Sequence, residues 1–274
     1  MKLQIPDVRQ TLKHLMLVKS SFDSRTETIS TWISVHRKSI ESNRGLIESR
    51  REEDHIAILA ILIPDLLMRG MKGERGEKLR RAFRKAIRSK ADLAENKYRK
   101  LLAAASYRFV DDGLTVMSAS VAYFRDNLKW NWKAYFDEAR RHSGSNFQED
   151  PLLKIKGLKF KVRDLALSNF DPGYAAFDIH VVRVVARTGL LAHGWASTAC
   201  GKYNFGTNQG DQDNYMFLHS LFLRLSELSG DYSPVDLDRI FWHFGRACCT
   251  STPACSRCPI KGICLTGKQR TKSC

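Results

Sequence analysis

The sequence predicts an all-α fold, and two observations support this prediction. Apolar residues recur at spacings of three and four over most of the chain, which is the period of half-buried helices. Alternating patterns typical of β-strands are almost absent. The 274 residues are enough for one large domain or for two smaller ones, each with its own hydrophobic core.

The first 50 residues have the pattern of polar helices that bury one face each. Their apolar positions are Leu12, Leu15, Met16 and Val18, followed by Ile29, Trp32, Ile33 and Val35. Serine pairs such as Ser20-Ser21 predict a break between the two groups.

The next helix is apolar on both sides from Ile56 to Ile63, so we expect it in a helical core. The segment from Lys72 to Lys100 is dense in lysine and arginine and keeps a narrow apolar stripe at Leu79, Phe83 and Ile87. Such a charge run indicates either a solvated helix face or a surface that contacts phosphates.

Two further helices are predicted, from Leu101 to Phe109 and from Gly113 to Asn127. Basic and aromatic residues then interleave between Lys129 and Phe136. Aromatic rings beside cations suit nucleic acid, through stacking and phosphate contacts, but at helical spacing they also suit a core. The sequence leaves both interpretations open.

The chain carries 45 Lys and Arg against 29 Asp and Glu, a formal net charge of +16. Such an excess predicts a polyanionic partner, most often nucleic acid. Apolar runs fall short of the roughly 18 to 20 residues that cross a bilayer. The N-terminal residues lack the apolar core of a signal peptide. We therefore expect a cytoplasmic protein without a membrane partner, in which thiols stay reduced.

Four cysteines near the C-terminal end have the spacing of a metal site. Cys248, Cys255, Cys258 and Cys264 are separated by six, two and five residues. A tight turn can bring two thiols with two intervening residues to one centre, and two more complete a four-thiolate set. The spacing by itself fits a [4Fe–4S] cluster or a structural zinc.

The middle of the chain predicts two helices around a turn, followed by a third helix. The turn lies at Gly157, and the second helix runs from about Lys161 to Phe170. A break at Asp171-Pro172-Gly173 precedes a helix that begins near Asp178. The Asp178 carboxylate stands at the N-cap, where it can accept the first free backbone N–H groups.

These elements, taken together, resemble the endonuclease III-like DNA glycosylases of the helix-hairpin-helix superfamily. The segment Phe177 to Val184 is similar to that family's Val-Asp-Thr-His-x-x-Arg-Val sequence. A Gly/Pro-rich loop precedes it, and a Gly-Arg segment with cysteines spaced by six, two and five residues follows, in the family's order. The resemblance covers roughly residues 55 to 270.

The resemblance implies that Lys161 is the nucleophile that forms a Schiff base and that Asp178 is the catalytic carboxylate. It also implies that the hairpin contacts DNA through Lys156, Gly157, Lys159 and Arg163. The chain departs from the family where Lys156 replaces a proline and where Lys159 replaces a glycine of the hairpin. The family's distance from Gly-Arg to the first ligand would select Cys249 instead of Cys248.

The fold implied by the resemblance has two helical domains with a DNA-binding cleft. Residues 51–173 would form a helical barrel with the helix-hairpin-helix motif. Residues 1–50 and 174–274 would form a second domain with a [4Fe–4S] cluster loop at Cys248, Cys255, Cys258 and Cys264. The expected partner is double-stranded DNA with a damaged or modified base, bound by a monomer in the cytoplasm, at the nucleoid if the source is bacterial.

Two other functions remain compatible with the sequence. The altered hairpin and the poorly matched helix around Pro64 favour a DNA- or RNA-binding protein that kept the fold and cluster but lost excision. A zinc-containing helical interaction protein is the other alternative, and it requires the Asp178 motif to be coincidental.

Overall fold

Helices dominate the computed structural model, which describes residues 5–68, 73–143, 147–205 and 211–272. The prediction of a mainly α-helical protein is confirmed. The α-helices in these ranges are α1 (Val8–Met16), α2 (Ile29–Ile47), α3 (Glu52–Leu66), α4 (Gly73–Ala86), α5 (Glu95–Ala104), α6 (Val110–Ala122), α7 (Trp132–Ser143), α8 (Phe160–Leu167), α9 (Ile179–Thr188), α10 (Ala192–Trp195), α11 (Gln212–Ser229), α12 (Pro234–Ala247) and α13 (Leu265–Lys272).

The chain divides into two compact units. One comprises Met1–Lys38 and Pro172–Cys274, and the other is Ser39–Asp171. The first boundary lies inside α2, twelve residues before the boundary expected at residue 50, and α2 runs without a break across it. The second boundary falls two residues before the expected one. Each unit is described by itself below.

A β-hairpin stands where the sequence suggested only a break between helices. Strands β1 (Lys19–Phe22) and β2 (Arg25–Thr28) pair antiparallel. Asp23 and Ser24 join them with φ angles of 46° and 64°, the left-handed conformation that a two-residue hairpin turn requires. The strands are short and mostly exposed, so the pattern of buried residues that reveals a strand is missing from the sequence.

The hairpin is anchored to α2 and α12 by a buried histidine. His243 Nδ1 lies 3.0 Å from Ser20 Oγ, and the Trp32 indole donates to the Ser20 carbonyl at 3.0 Å. The Trp32 and His243 rings stack with centroids 5.5 Å apart. Burial lowers the pKa of His243 to about 3, with nearby arginines adding to the shift, so the ring is neutral at pH 7.

In the 39–171 unit, α3 is the central helix, as its two-sided hydrophobicity predicted. It packs against α4 and α8. Its buried Asp65 accepts hydrogen bonds from Arg80 Nε at 2.7 Å and from the Asn169 amide at 2.6 Å. The predicted stripe on α4 is confirmed, since Leu79 and Phe83 are fully buried.

The interleaved aromatic segment is divided between the core and the surface. Trp132, Tyr135 and Phe136 on α7 are buried, which confirms the core interpretation for these rings. Trp130, just before α7, is only half-buried. The helix predicted as far as Asn127 changes after α6 into a short π-helical turn, Tyr123–Asn127.

Among the residues that the structure describes, none of the helices combines the length and the apolar character needed to cross a bilayer.

Candidate catalytic and cysteine sites

The turn before α8 depends on a single glycine. Gly157 has a φ of +96°, which side-chain-bearing residues rarely adopt, and Leu158 N–H donates to the Ile155 carbonyl at 3.1 Å. A short 3₁₀ helix, Pro151–Lys154, precedes the turn. Lys159 has a φ of −131°, an extended conformation open to any residue. A lysine in place of glycine at this position therefore imposes no backbone strain.

Three lysines around this turn are exposed, and their side chains make no hydrogen bond or ion pair with the described part of the chain. They are Lys156, Lys159 and Lys161. Lys159 is the N-cap of α8, and its side chain makes no capping hydrogen bond. The first N–H groups of α8 and the three lysines thus fall within one short, exposed stretch of chain, a combination that suits an anion such as a DNA phosphate.

The assignment of Arg163 to DNA contact is wrong. Its side chain is completely buried and forms ion pairs with two buried carboxylates, Asp150 at 2.8 Å and Asp164 at 2.5 Å. Asp150 also accepts a hydrogen bond from Leu152 N–H at 2.9 Å. The arginine therefore holds α8 to the 3₁₀ helix that precedes the turn, and no phosphate can reach it.

In the other unit, Asp178 caps α9 as the sequence predicted. Its Oδ1 accepts from the His180 N–H at 2.8 Å and from the Val181 N–H at 3.0 Å. Within the described residues Oδ2 has no recorded partner, and the side chain is half-buried. One oxygen of the carboxylate thus orients the group, and the other makes no hydrogen bond to the described part of the chain.

Helix α9 is held close to α12 by Gly245. A Cβ atom built at this glycine would lie 2.9 Å from both the Cβ and the backbone oxygen of His180. The glycine of the Gly-Arg segment is therefore needed for the approach of α12 to the first turn of α9. This packing fixes the position of the turn that Asp178 caps.

The opposite end of α9 carries Arg187, which binds the loop after α12. Its guanidinium donates to the Thr250 carbonyl at 2.5 Å and to the Ser251 carbonyl at 3.1 Å. It also lies 3.8 Å from Cys249 Sγ. The ten residues of α9 span about 15 Å at 1.5 Å per residue. Asp178 and the cysteine loop are thus attached to the two ends of one short helix.

The four predicted ligands line a single enclosed pocket, together with Cys249. The other residues around this pocket include Arg187, Phe244 and Ile260. Cys264 Sγ donates to the Arg187 carbonyl at 3.2 Å. Burial raises the pKa of the Cys258 thiol to about 11, and neighbouring thiols add to the shift.

The pocket offers the donor set of a four-thiolate centre, but the thiols do not converge on one point. The described ranges contain no group of three or more Cys, His, Asp or Glu side chains that is placed to bind a single metal ion. A zinc ion needs all four thiolates within bonding distance of one atom. In a [4Fe–4S] cluster each thiolate binds a different iron, so the thiols stand further apart.

The structure places the predicted site residues in both units. Lys156, Gly157, Lys159 and Lys161 belong to the 39–171 unit. Asp178 and the cysteines belong to the unit of residues 1–38 and 172–274. Sequence reasoning missed the roles of Arg187 and Gly245, whose partners lie about sixty residues away in the chain and leave no local signal.

Comparisons of this chain with protein-family models, with curated proteins and with solved structures give no significant match.

Proposed function

We propose that this protein is a DNA glycosylase that flips a damaged, mismatched or modified base out of double-stranded DNA and excises it. The observation that carries the proposal is the Asp178 carboxylate, which is oriented through one oxygen and makes no hydrogen bond to described residues through the other. Residues 151–167 would act as the helix-hairpin-helix that binds the backbone of the DNA. Such an enzyme would work as a monomer in the cytoplasm, or at the nucleoid in a bacterium.

The exposed lysines would provide the sequence-independent part of DNA binding. Lys156, Lys159 and the free N–H groups of α8 would contact phosphates, and the formal charge of +16 adds long-range attraction. Extrusion of a nucleotide costs roughly a few kcal/mol, because the base loses its stacking and pairing. The binding energy from the phosphate contacts offsets this cost.

Asp178 would act on the sugar of the extruded nucleotide. When the glycosidic bond breaks, positive charge develops at C1′, and a nearby carboxylate stabilises it. The same carboxylate can accept the proton of the attacking group. The hydrogen bonds from His180 and Val181 hold the carboxylate in place before the substrate binds.

Lys161 would be the attacking amine. Its nitrogen forms a bond to C1′ while the glycosidic C–N bond breaks, and the base leaves with the bonding electrons and takes a proton. Opening of the sugar ring then gives an imine between Lys161 and C1′. Loss of a proton from C2′ breaks the C3′–O3′ bond and cleaves the strand by β-elimination.

Borohydride trapping tests this chemistry, because borohydride reduces the imine to a stable amine. Wild-type protein should form a covalent complex with DNA that carries an abasic site, and Lys161→Ala should not. Lys156→Ala is the matched control at the same turn: its DNA binding should weaken, but at saturating protein concentration it should still be trapped. Trapping that persists in Lys161→Ala would exclude Lys161 as the nucleophile.

The exposure of Lys161 favours a second candidate, a DNA-binding protein without excision activity. A phosphate-binding lysine is normally exposed, as Lys161 is. In this case wild-type protein would bind DNA but would not be trapped on abasic sites. It would also release no base from any oligonucleotide in a panel of damaged and modified substrates. Release of any one base decides for the glycosylase and identifies its substrate.

The cysteine pocket would hold a [4Fe–4S] cluster, which supplies structural support to the loop after α12 and to its basic residues. Cys255, Cys258 and Cys264 would be ligands. The sequence spacing favours Cys248 as the fourth, whereas Cys249 lies close enough to interact electrostatically with Cys255, Cys258 and Cys264.

Iron and sulfide analysis of anaerobically purified protein tests both the cluster and its ligands. Four irons and four sulfides per chain are expected for a filled [4Fe–4S] site, whereas a zinc protein would be colourless and iron-free. Of the two variants Cys248→Ser and Cys249→Ser, the one that replaces a ligand should lose iron, and the other should keep it.

A further inference from the structure

A second pocket, apart from the proposed chemistry, lies in the 39–171 unit. It has a volume of about 480 Å³ and opens between the end of α2, the first turn of α3 and the segment before α7. It is lined by residues 47–50, 55 and 129–133. A volume of this size is enough for a small organic ligand.

The charge of this pocket favours an anionic ligand. Arg50, Lys129 and Lys133 stand at its wall, against one carboxylate, Glu48. Lys133 is bound to Asp137 at 2.9 Å and lies 4.0 Å from Glu48. Arg50 and Lys129 are exposed and have no ion pair recorded with the described residues. Two cations are therefore available for a phosphate.

Two buried polar atoms at the pocket wall have no hydrogen-bond partner in the part of the chain that the structure describes. These are the indole nitrogen of Trp132, a residue only 1% exposed, and Nδ1 of His55. Buried donors and acceptors are nearly always paired in folded proteins. Each of these atoms has almost no accessible surface, so both lie behind the pocket wall and offer no direct contact to a ligand.

An aromatic surface with a constrained backbone completes the pocket. Trp130 is half-buried, and the Lys90 ammonium lies 5.7 Å from its ring centroid. Lys129 and Trp130 have φ angles of 51° and 63°, the left-handed region that non-glycine residues seldom adopt. Hydrogen bonds from Trp130 N–H to the Phe124 carbonyl and from Asn131 N–H to the Leu128 carbonyl, both 2.9 Å, hold this turn. Such strain concentrates at ligand sites.

We propose that this pocket binds a single nucleotide. The base would stack on Trp130, and the phosphate would lie between Arg50 and Lys129. The side chain of Asn131 accepts from Ala134 N–H through its oxygen at 3.1 Å. Its NH₂ group makes no hydrogen bond to another described residue and remains available to a ligand. The proposal does not rest on base excision, since it uses neither Lys161 nor Asp178.

Calorimetric titration of the full chain tests this site. Each of the four deoxynucleoside 5′-monophosphates is titrated separately, with thymidine and inorganic phosphate as the two partial ligands. At least one nucleotide should bind saturably, and at least about tenfold more tightly than either partial ligand, because stacking and phosphate contact act together. Absence of saturable binding, or phosphate binding as tight as the nucleotide, would overturn the proposal.

Trp130→Ala should weaken nucleotide binding by about tenfold or more, since a stacked aromatic ring contributes a large part of such affinity. Trp195→Ala is the matched control, because Trp195 is 63% exposed and belongs to the other unit. It should bind like the wild type. Circular dichroism melting of both variants checks that they fold. Equal affinity of a folded Trp130→Ala variant would contradict the nucleotide assignment, as would an equal loss in Trp195→Ala.

Discussion

Cations stand both at the beginning of α8 and at the end of α9, but the protein uses them in opposite ways. Lys156, Lys159 and Lys161, before and in the first turn of α8, are exposed, and their side chains make no hydrogen bond or ion pair with the described chain. Arg187 at the end of α9 is bound to the Thr250 and Ser251 carbonyls. The first group is open to an external anion, whereas the arginine already serves the fold.

This difference predicts where function and stability can be separated. An exposed cation with no internal partner can be replaced without loss of folding free energy, so its loss reports on binding alone. A cation that satisfies internal carbonyls or carboxylates cannot be removed without leaving polar groups unpaired. The variants below test this distinction from the largest expected effect to the smallest.

Arg163→Met should give the largest effect, because it leaves Asp150 and Asp164 buried without their cation. We expect the free energy of unfolding to fall by about 3–5 kcal/mol. Lys161→Met, two residues earlier in the same helix, should change it by no more than about 0.5 kcal/mol. Urea unfolding of both variants measures the contrast. Similar stabilities for the two variants would show that the buried ion pairs contribute little.

Arg187→Met should lower the free energy of unfolding by about 2 kcal/mol, since it removes charge-assisted hydrogen bonds to two carbonyls. The loop after α12 would then be less firmly held, and its backbone amides from Cys249 to Thr252 should exchange hydrogen faster. Arg183→Met is the control on the same helix, because Arg183 makes no hydrogen bond to the described residues. Unchanged hydrogen exchange in Arg187→Met would mean that the loop is held by other contacts.

Two substitutions at Asp178 separate its contribution to helix capping from its proposed role in catalysis. Asp178→Ala removes the cap of α9 and should cost about 1 kcal/mol of unfolding free energy. Asn caps helices about as well as Asp, so Asp178→Asn should keep wild-type stability. If the carboxylate is catalytic, Asp178→Asn should nevertheless lose excision on any substrate that the wild type cleaves. A stable Asp178→Asn variant with full activity would leave Asp178 with the capping role alone.

The features that the sequence predicted correctly are those with local signals. The apolar stripe at Leu79 and Phe83 and the turn at Gly157 depend on residue type and on spacing along one helix. The N-cap role of Asp178 could likewise be recognised from its place before an apolar-periodic segment. Periodicity and turn chemistry are enough for these because the interactions that form them join near neighbours.

The features that the sequence missed depend on distant partners. Arg163 has the appearance of one more cation in a basic run, and only its burial with Asp150 shows that it is structural. The hairpin of β1 and β2 lacks a buried face that would give it an alternating pattern. The pocket at Trp130 combines residues from three separate segments. Spacing along the chain contains no information on such contacts.

The smallest change in stability should come from the double variant of Lys156→Ala and Lys159→Ala, within about 0.5 kcal/mol of the wild type. Its DNA binding should nevertheless become less sensitive to salt. Each phosphate contact adds about 0.9 to the slope of log K against log salt concentration, so the slope should fall by about 1.8. The matched control replaces Lys13 and Lys38, two exposed lysines of the other unit, and should keep the wild-type slope. An equal fall of the slope in both double variants would show that DNA binding depends on net charge alone. The beginning of α8 would then not be a specific DNA contact.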